Sequence, residues 1–223
     1  MAKQLRLKLG RQAGYSRDDF VEGLCNRQAV AAVDAWPGWH GGCLVLVGPE
    51  GVGKSHLAHT WAKTAKAVAL DREAPDVDAA AGRPALIEDV DRGAPDEALF
   101  HLINLAGREG GGLLLTARTP PMAWPAALPD LRSRLNALPV AEIEPPDDRV
   151  LEGVLRRFFR ERNIRPPNEV YAYLLRRMER SVPEAREIVR RLDEAGEGDP
   201  RPISRVLARE ILEGGDPNLD LFE

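Results

Sequence analysis

Cys43-Leu-Val-Leu-Val-Gly-Pro-Glu-Gly-Val-Gly-Lys-Ser-His-Leu57 is the stretch on which the fold of this chain turns. Cys43–Val47 is a short, continuous apolar run bounded by glycine, the pattern of a strand buried on both faces in a parallel sheet. Gly48-Pro-Glu-Gly-Val-Gly53-Lys54-Ser55 then matches GxxxxGK[ST]. Its chemistry needs that layout. Gly48, Gly51 and Gly53 let the backbone curl, so that the N–H groups from Gly48 through Val52 to Gly53 can face phosphate oxygens. Lys54 adds a point charge at the β/γ-phosphates, and the Ser55 hydroxyl is placed to ligate Mg2+. A helix starting there aims the positive end of its dipole at the same anion. The layout predicts a nucleotide site.

Working outward, the same alternation repeats. Ala67–Leu70, Pro84–Ile87, Leu113–Ala117 and Leu138–Ile143 read as further strands. Ser16–Trp36, His56–Ala65 and Asp96–Arg108 read as helices; the last carries Leu99, Leu102, Ile103 and Ala106 on one face. Strands alternating with helices imply an α/β fold, a parallel five-stranded sheet flanked by helices. After Glu144-Pro-Pro146 the pattern changes to four helices, Asp147–Arg162, Asn168–Arg180, Pro183–Ala195 and Ile203–Leu212. The expected organisation is a tail over 1–15, an α/β core over 16–145, a small helical unit over 146–213 and an acidic tail over 214–223.

Composition narrows the function classes. The 223 residues carry 31 Lys+Arg against 35 Asp+Glu, a net charge of −4. That balance argues against a nucleic-acid coat protein or a polybasic membrane binder. A chain of this length buries roughly 70–75% of its unfolded surface and needs no disulfide framework. Cys25 and Cys43 form no CxxC, which suits a reducing compartment. The apolar runs are too short to span a bilayer and the first eleven residues contain no signal-peptide core, so a cytoplasmic protein is expected. Trp36, Trp39, Trp61 and Trp124 read as packing groups, and the arginines between 156 and 165 as a solvated face. His56 and His59 could pair on one helix face, but no acidic third ligand is evident.

The second acidic element is Leu86-Ile-Glu88-Asp89-Val-Asp91. Two carboxylates at the end of a later strand are placed to hold Mg2+ (Glu88) and to orient an attacking water (Asp89). Glu88 stands where Asp is usual, and its extra methylene displaces the carboxylate.

With these motifs in order, the sequence resembles the AAA+ ATPases of the bacterial replication initiator DnaA family, and within it the short Hda-type relatives that regulate DnaA. Phe20-Val-Glu-Gly23 with Asn26 and Ala29 matches the adenine-side box. Gly48–Ser55 followed by His56-Leu57 matches the GKSHL phosphate loop. Glu88-Asp89 sits at Walker B, and Leu113-Leu-Leu-Thr116-Ala-Arg-Thr-Pro-Pro121 resembles the sensor I segment. Leu128-Pro-Asp-Leu-Arg-Ser133-Arg134-Leu135 resembles the segment with the arginine finger. The likeness covers roughly residues 15–213.

The resemblance implies ADP or ATP with Mg2+ as cofactors. It places Phe20, Val21 and Asn26 at the adenine, His56 beside the loop, and Ser55 and Glu88 on the metal. Arg134, rather than Arg132, would be the finger that acts in trans on a neighbouring subunit's nucleotide. Three positions depart from the pattern: Glu88, Arg118 where an acid is usual, and Pro183 where sensor II carries Arg, with Arg186 one turn on as a substitute. Together they imply weak intrinsic hydrolysis.

Two features favour the Hda type. The chain ends after its fourth C-terminal helix, where DnaA continues into a DNA-binding module. Gln4-Leu5-Arg6-Leu7-Lys8-Leu9 is similar to the Q-L-x-L-x-L peptide that docks on the β sliding clamp, with Gln4 in a polar pocket and Leu5, Leu7 and Leu9 in apolar ones. Asn218–Phe222 is a weaker match to a clamp pentapeptide. The implied partners are DnaA and the DNA-loaded β sliding clamp, with a homodimer possible, DNA met only indirectly and no membrane. The alternative is a self-assembling, ATP-dependent helicase loader or initiator accessory.

Overall fold

The computed structural model describes residues 15–196 and 203–213. In chain order its elements are α1 (Arg27–Asp34), β1 (Cys43–Val47), α2 (Lys54–Ala65), β2 (Val68–Ala69), β3 (Pro84–Ile87), α3 (Asp96–Ala106), β4 (Gly112–Ala117), α4 (Pro129–Ala137) and β5 (Val140–Glu142). They are followed by α5 (Asp148–Glu161), α6 (Asn168–Leu175), α7 (Val182–Gly196) and α8 (Arg205–Glu213). The five strands run parallel in the order β2-β3-β4-β1-β5. Val47 registers with Ala117 on one side and Glu142 on the other. Both β1 and β3 flank β4, so the loops that follow them converge at the carboxyl edge of the sheet, where ligands bind in open α/β folds.

Every residue of β1, β3 and β4 is buried, and the two-residue period of the strands splits them between two layers. Leu44, Leu46, Leu86 and Leu114 face α1 and α2 through Val30, Val33, Leu57, Ala58 and Trp61. Cys43, Val45, Ile87, Leu113 and Leu115 face α3 and α4 through Leu99, Leu102, Leu131 and Leu135. Because helices cover both faces, the strands carry no polar alternation. Each buried leucine contributes roughly 1.5–3 kcal/mol. Trp39 stacks on Trp61, ring centroids 5.0 Å apart. Cys25 and Cys43 are buried free thiols, and burial pushes the Cys43 thiol up to about 12.

α5–α8 close on a core of their own around Leu155, Phe158, Phe159, Leu174, Ile188, Val189 and Leu192. No helix among the described residues is long and apolar enough to cross a membrane.

Two sequence expectations are corrected and one helix is added. The helix expected over Ser16–Trp36 is confined to Arg27–Asp34, after a single 3-10 turn at Arg17–Asp19. The Asn26 side chain accepts from the Gly23 N–H at 2.9 Å and donates to the Val21 carbonyl at 2.9 Å, which ties the intervening backbone into a loop. The helix expected over Asn168–Arg180 ends at Leu175, where the Arg177 and Met178 N–H groups both turn back to the Leu174 carbonyl. α4 is a helix that periodicity did not announce, because only Leu131 and Leu135 are buried along it. Pro129 in its first turn was the available signal.

Leu114 is fully buried in the middle of β4. Leu114→Ala is expected to lower stability by about 2–5 kcal/mol. In urea unfolding the midpoint should fall while the slope stays unchanged.

Candidate nucleotide-binding site

The phosphate loop is fastened at three points. Gly48 follows β1 directly, and its N–H donates to the Ala117 carbonyl at the end of β4, at 3.2 Å. Lys54 is buried and donates its ammonium to the Gly48 and Pro49 carbonyls, at 2.7 and 2.8 Å. The Val182 N–H, at the start of α7, donates to the Gly51 carbonyl at 3.2 Å. Burial pushes the Lys54 pKa down and Arg118 adds to that, while Asp89, Asp91 and Glu50 oppose it.

Gly51 and Gly53 adopt φ of 76° and 104°, a region that glycine enters without strain. A Cβ on Gly51 would lie 2.6 Å from the Pro183 ring, so the lid helix α7 sits directly on the loop. Gly53 caps α2 without any side-chain bond, and the N–H groups of the first turn have no intrahelical acceptor. Lys54 has three donors, two of them on carbonyls. A cradle of left-handed glycines at a helix N-terminus beside a buried ammonium fits a phosphate chain. Val52 is buried in the core beneath α2, so its side chain anchors the loop.

The acidic edge divides its labour. Asp89 sits at φ 53°; its N–H donates to Thr116 Oγ1 at 3.0 Å, and its carboxylate lies 3.6 Å from Arg92. Asp91 has a role that sequence reading did not give it. Its Oδ2 accepts from the Arg118 and Thr119 N–H groups at 2.9 and 3.1 Å, which fixes the backbone after β4. The Arg118 side chain reaches Glu50 at the tip of the loop, at 2.6 Å. Both partners are exposed, so the pair contributes little stability and mainly sets position.

Glu88 Oε2 accepts from His59 Nε2 at 2.8 Å, and its Oε1 is buried with no hydrogen-bond partner. His59 was another residue without an expected role at Walker B; its place one turn beyond Ser55 on α2 was the signal. The buried Oε1 and the Ser55 hydroxyl on the first turn of α2 are hard oxygen donors of the kind Mg2+ takes beside phosphates and water. Among the described residues no group of three or more His, Cys, Asp or Glu side chains forms a metal cage.

On the other side of the loop, Phe20 lies 3.3 Å from where a Gly53 Cβ would stand, and packs edge-on to His56 with centroids 5.4 Å apart. His56 pairs through Nε2 with the Ser16 carbonyl at 2.8 Å, and burial lowers its pKa. Val21 packs on Gly153 of α5, where a Cβ would be 2.7 Å away. Asn26 spends its amide on its own loop and therefore shapes this wall from behind. Asp147 ties the wall to the lid, accepting from Val150 N–H in α5 at 2.8 Å and from Leu24 N–H at 3.1 Å. Burial would raise the Asp147 pKa, but the backbone donors outweigh it and hold the carboxyl below its usual range.

Arg186 is close enough to the wall for its charge to add to the lowering of the His56 pKa. It is exposed, with its guanidinium over the Phe158 ring at 4.4 Å. Arg132 donates to the Met122 and Trp124 carbonyls at 3.2 and 2.6 Å. Arg134, one residue beyond the next, is exposed in the last turn of α4 and has no ion pair or side-chain hydrogen bond among the described residues. Gln4, Leu5, Leu7, Leu9 and the Asn218–Phe222 peptide lie outside the described residues.

The sheet order, the phosphate loop after β1 and the helical unit resting on it make up a P-loop α/β fold. No family model matches the chain. Its sequence is similar to the chromosomal replication initiator protein DnaA of Thermomicrobium roseum, 27% identical over 249 residues that cover 96% of this chain and 54% of that protein. The chain spans about half the length of the curated relatives it matches. Domain III of Thermotoga maritima DnaA superposes with a TM-score of 0.74 at 19% identity, covering 90% of this chain and 96% of that one. DnaA of Aquifex aeolicus bound to AMPPCP superposes at 0.66 and 21%, covering 84% and 68%. The likeness in sequence is to DnaA, and the solved DnaA structures share this chain's fold.

Lys54→Ala removes the charge-assisted contacts of the loop, and is expected to weaken binding of a fluorescent ADP by ~10-fold or more; affinity within twofold of wild type would mean that this loop does not hold the phosphates. Asp147→Asn tests the tie between wall and lid. A depressed carboxylate contributes stability that is full above the unfolded pKa near 3.8 and is lost as pH falls through the lower folded value. The variant should therefore melt lower than wild type at neutral pH, by about 1 kcal/mol, and the gap should close below that pH.

Proposed function

We propose that this chain is an adenine-nucleotide-binding regulator of replication initiation, of the Hda kind. It docks on the DNA-loaded β sliding clamp through Gln4–Leu9 and stimulates ATP hydrolysis by DnaA with Arg134, so that re-initiation is prevented. Bound nucleotide supplies the phosphates that complete the loop. The Gly51–Gly53 backbone and Lys54 hold those phosphates, and Ser55 and Glu88 hold Mg2+. Phe20 and Val21 line the adenine side.

The observation that carries the reading is the contrast on α4. Arg132 is committed to the Met122 and Trp124 carbonyls, whereas Arg134 projects from the surface without a partner among the described residues. An exposed, uncommitted guanidinium is what a finger acting on another subunit's nucleotide requires. The similarity to DnaA, and the AMPPCP bound by its Aquifex aeolicus member, support the choice of partner and nucleotide.

The arrangement around the loop favours activation of a partner over hydrolysis in this subunit. Arg118 is engaged by Glu50, and Pro183 occupies the lid's contact with Gly51. Neither offers a new group to a transferring phosphate.

The test is DnaA·ATP turnover in the presence of DNA-loaded clamp. Wild type should accelerate it. Arg134→Ala should lose most of the acceleration, against the ~10³-fold or more that such fingers supply, while still binding ADP. Full stimulation by Arg134→Ala would overturn the proposal.

A further inference from the structure

The Walker B glutamate makes its strongest contact with α2. His59 Nε2 stands 2.8 Å from Glu88 Oε2; a carboxylate only accepts, so Nε2 carries the proton. The His59 ring is itself held. The Tyr15 ring lies flat against it, centroids 4.7 Å apart and planes within 5°. Tyr15 also meets His56 edge-on at 5.4 Å, and His56 is tied through its own Nε2 to the Ser16 carbonyl. The Glu88 carboxylate thus has one oxygen bound to a ring whose orientation is set from two directions, and the other oxygen, Oε1, buried and without a partner. Burying an unpaired carboxylate oxygen is costly, so this orientation has to be imposed.

We propose that His59 is the positioning residue of the metal site: it pins Glu88 Oε2 against α2, which presents Oε1 as the protein's carboxylate donor to a divalent cation. This inference rests on the nucleotide-site reading above. The extra methylene of Glu88 is part of the device. An aspartate at 88 would be shorter by roughly 1.3 Å and would leave His59 out of hydrogen-bonding range. A histidine behind a metal-binding carboxylate fixes its direction and basicity, and loss of such a partner typically costs 10–100-fold in metal affinity.

Manganese is the probe. Mn2+ binding to the ADP-loaded protein is titrated by electron paramagnetic resonance, and ADP affinity is measured separately in EDTA. His59→Ala is expected to weaken Mn2+ binding by about 10-fold, with metal-free ADP affinity within twofold of wild type. His59→Gln, whose amide can still donate to Oε2, should recover most of the loss. In a Glu88→Asp background, His59→Ala should have no further effect on Mn2+.

Unchanged Mn2+ affinity in His59→Ala overturns the proposal. So does an equal loss of Mn2+ and of metal-free ADP binding without recovery by Gln, because that pattern belongs to a residue that only packs α2. Normal ADP binding by wild type with no dependence of Mn2+ affinity on His59 would leave the nucleotide site standing and remove this inference alone. Failure of wild type to bind ADP would remove both.

Discussion

The buried ammonium of Lys54 is the constraint from which the site follows. A cation leaves water only if its donors are met, and here the Gly48 and Pro49 carbonyls meet two of them. To bring both carbonyls onto one amine the loop must curl back on itself, which requires the left-handed glycines at Gly51 and Gly53. The loop must also start from an immobile strand. β1 supplies that, paired on both sides inside the sheet, with Gly48 bonded to the end of β4. The same curl exposes the Gly51 carbonyl and leaves no room for a side chain there, so that Val182 and Pro183 of the lid can rest on it. One buried charge therefore sets the demands on the loop, the sheet order and the seat of the lid.

Charges around the loop are arranged in separate jobs. Asp91 holds the backbone after β4, Asp147 fastens the wall at Leu24 to α5, and Glu50 receives Arg118. These contacts are mostly exposed, so their value is geometric more than energetic. Glu88 and Asp91 each combine a satisfied oxygen with a buried unsatisfied one, but it is Glu88 whose satisfied oxygen is held by a side chain of α2, His59. On the proposed reading these contacts hold the walls of a nucleotide site, while Arg134, without a side-chain partner among the described residues, is exposed on α4.

The linear sequence had clear limits. β1, β3 and β4 were legible because strands buried on both faces are continuous apolar runs, and α3 because Leu99, Leu102, Ile103 and Ala106 repeat at helical spacing. α4 was not, since it buries only Leu131 and Leu135. The segment from Phe20 to Asn26 carried enough apolar residues to pass for helix, yet Asn26 and Asp147 bind its backbone into a loop. One of those two partners is more than a hundred positions away, beyond the reach of any local pattern.

By itself the sequence determined the phosphate loop, the parallel α/β class and the identity of the charged residues that could act, because these depend on local spacing: glycines for curvature, continuous apolar runs for strands buried on both faces, a lysine where a phosphate must be met. Tertiary structure alone decided which of those residues are committed. Arg132 and Arg134 are alike in local chemistry, and the Met122 and Trp124 carbonyls show which of them is committed. Glu88 reads as a misplaced aspartate until His59 is found behind it on α2. The physical reason is that a hydrogen bond's partner is chosen by packing across elements, and packing distance has no fixed relation to distance along the chain.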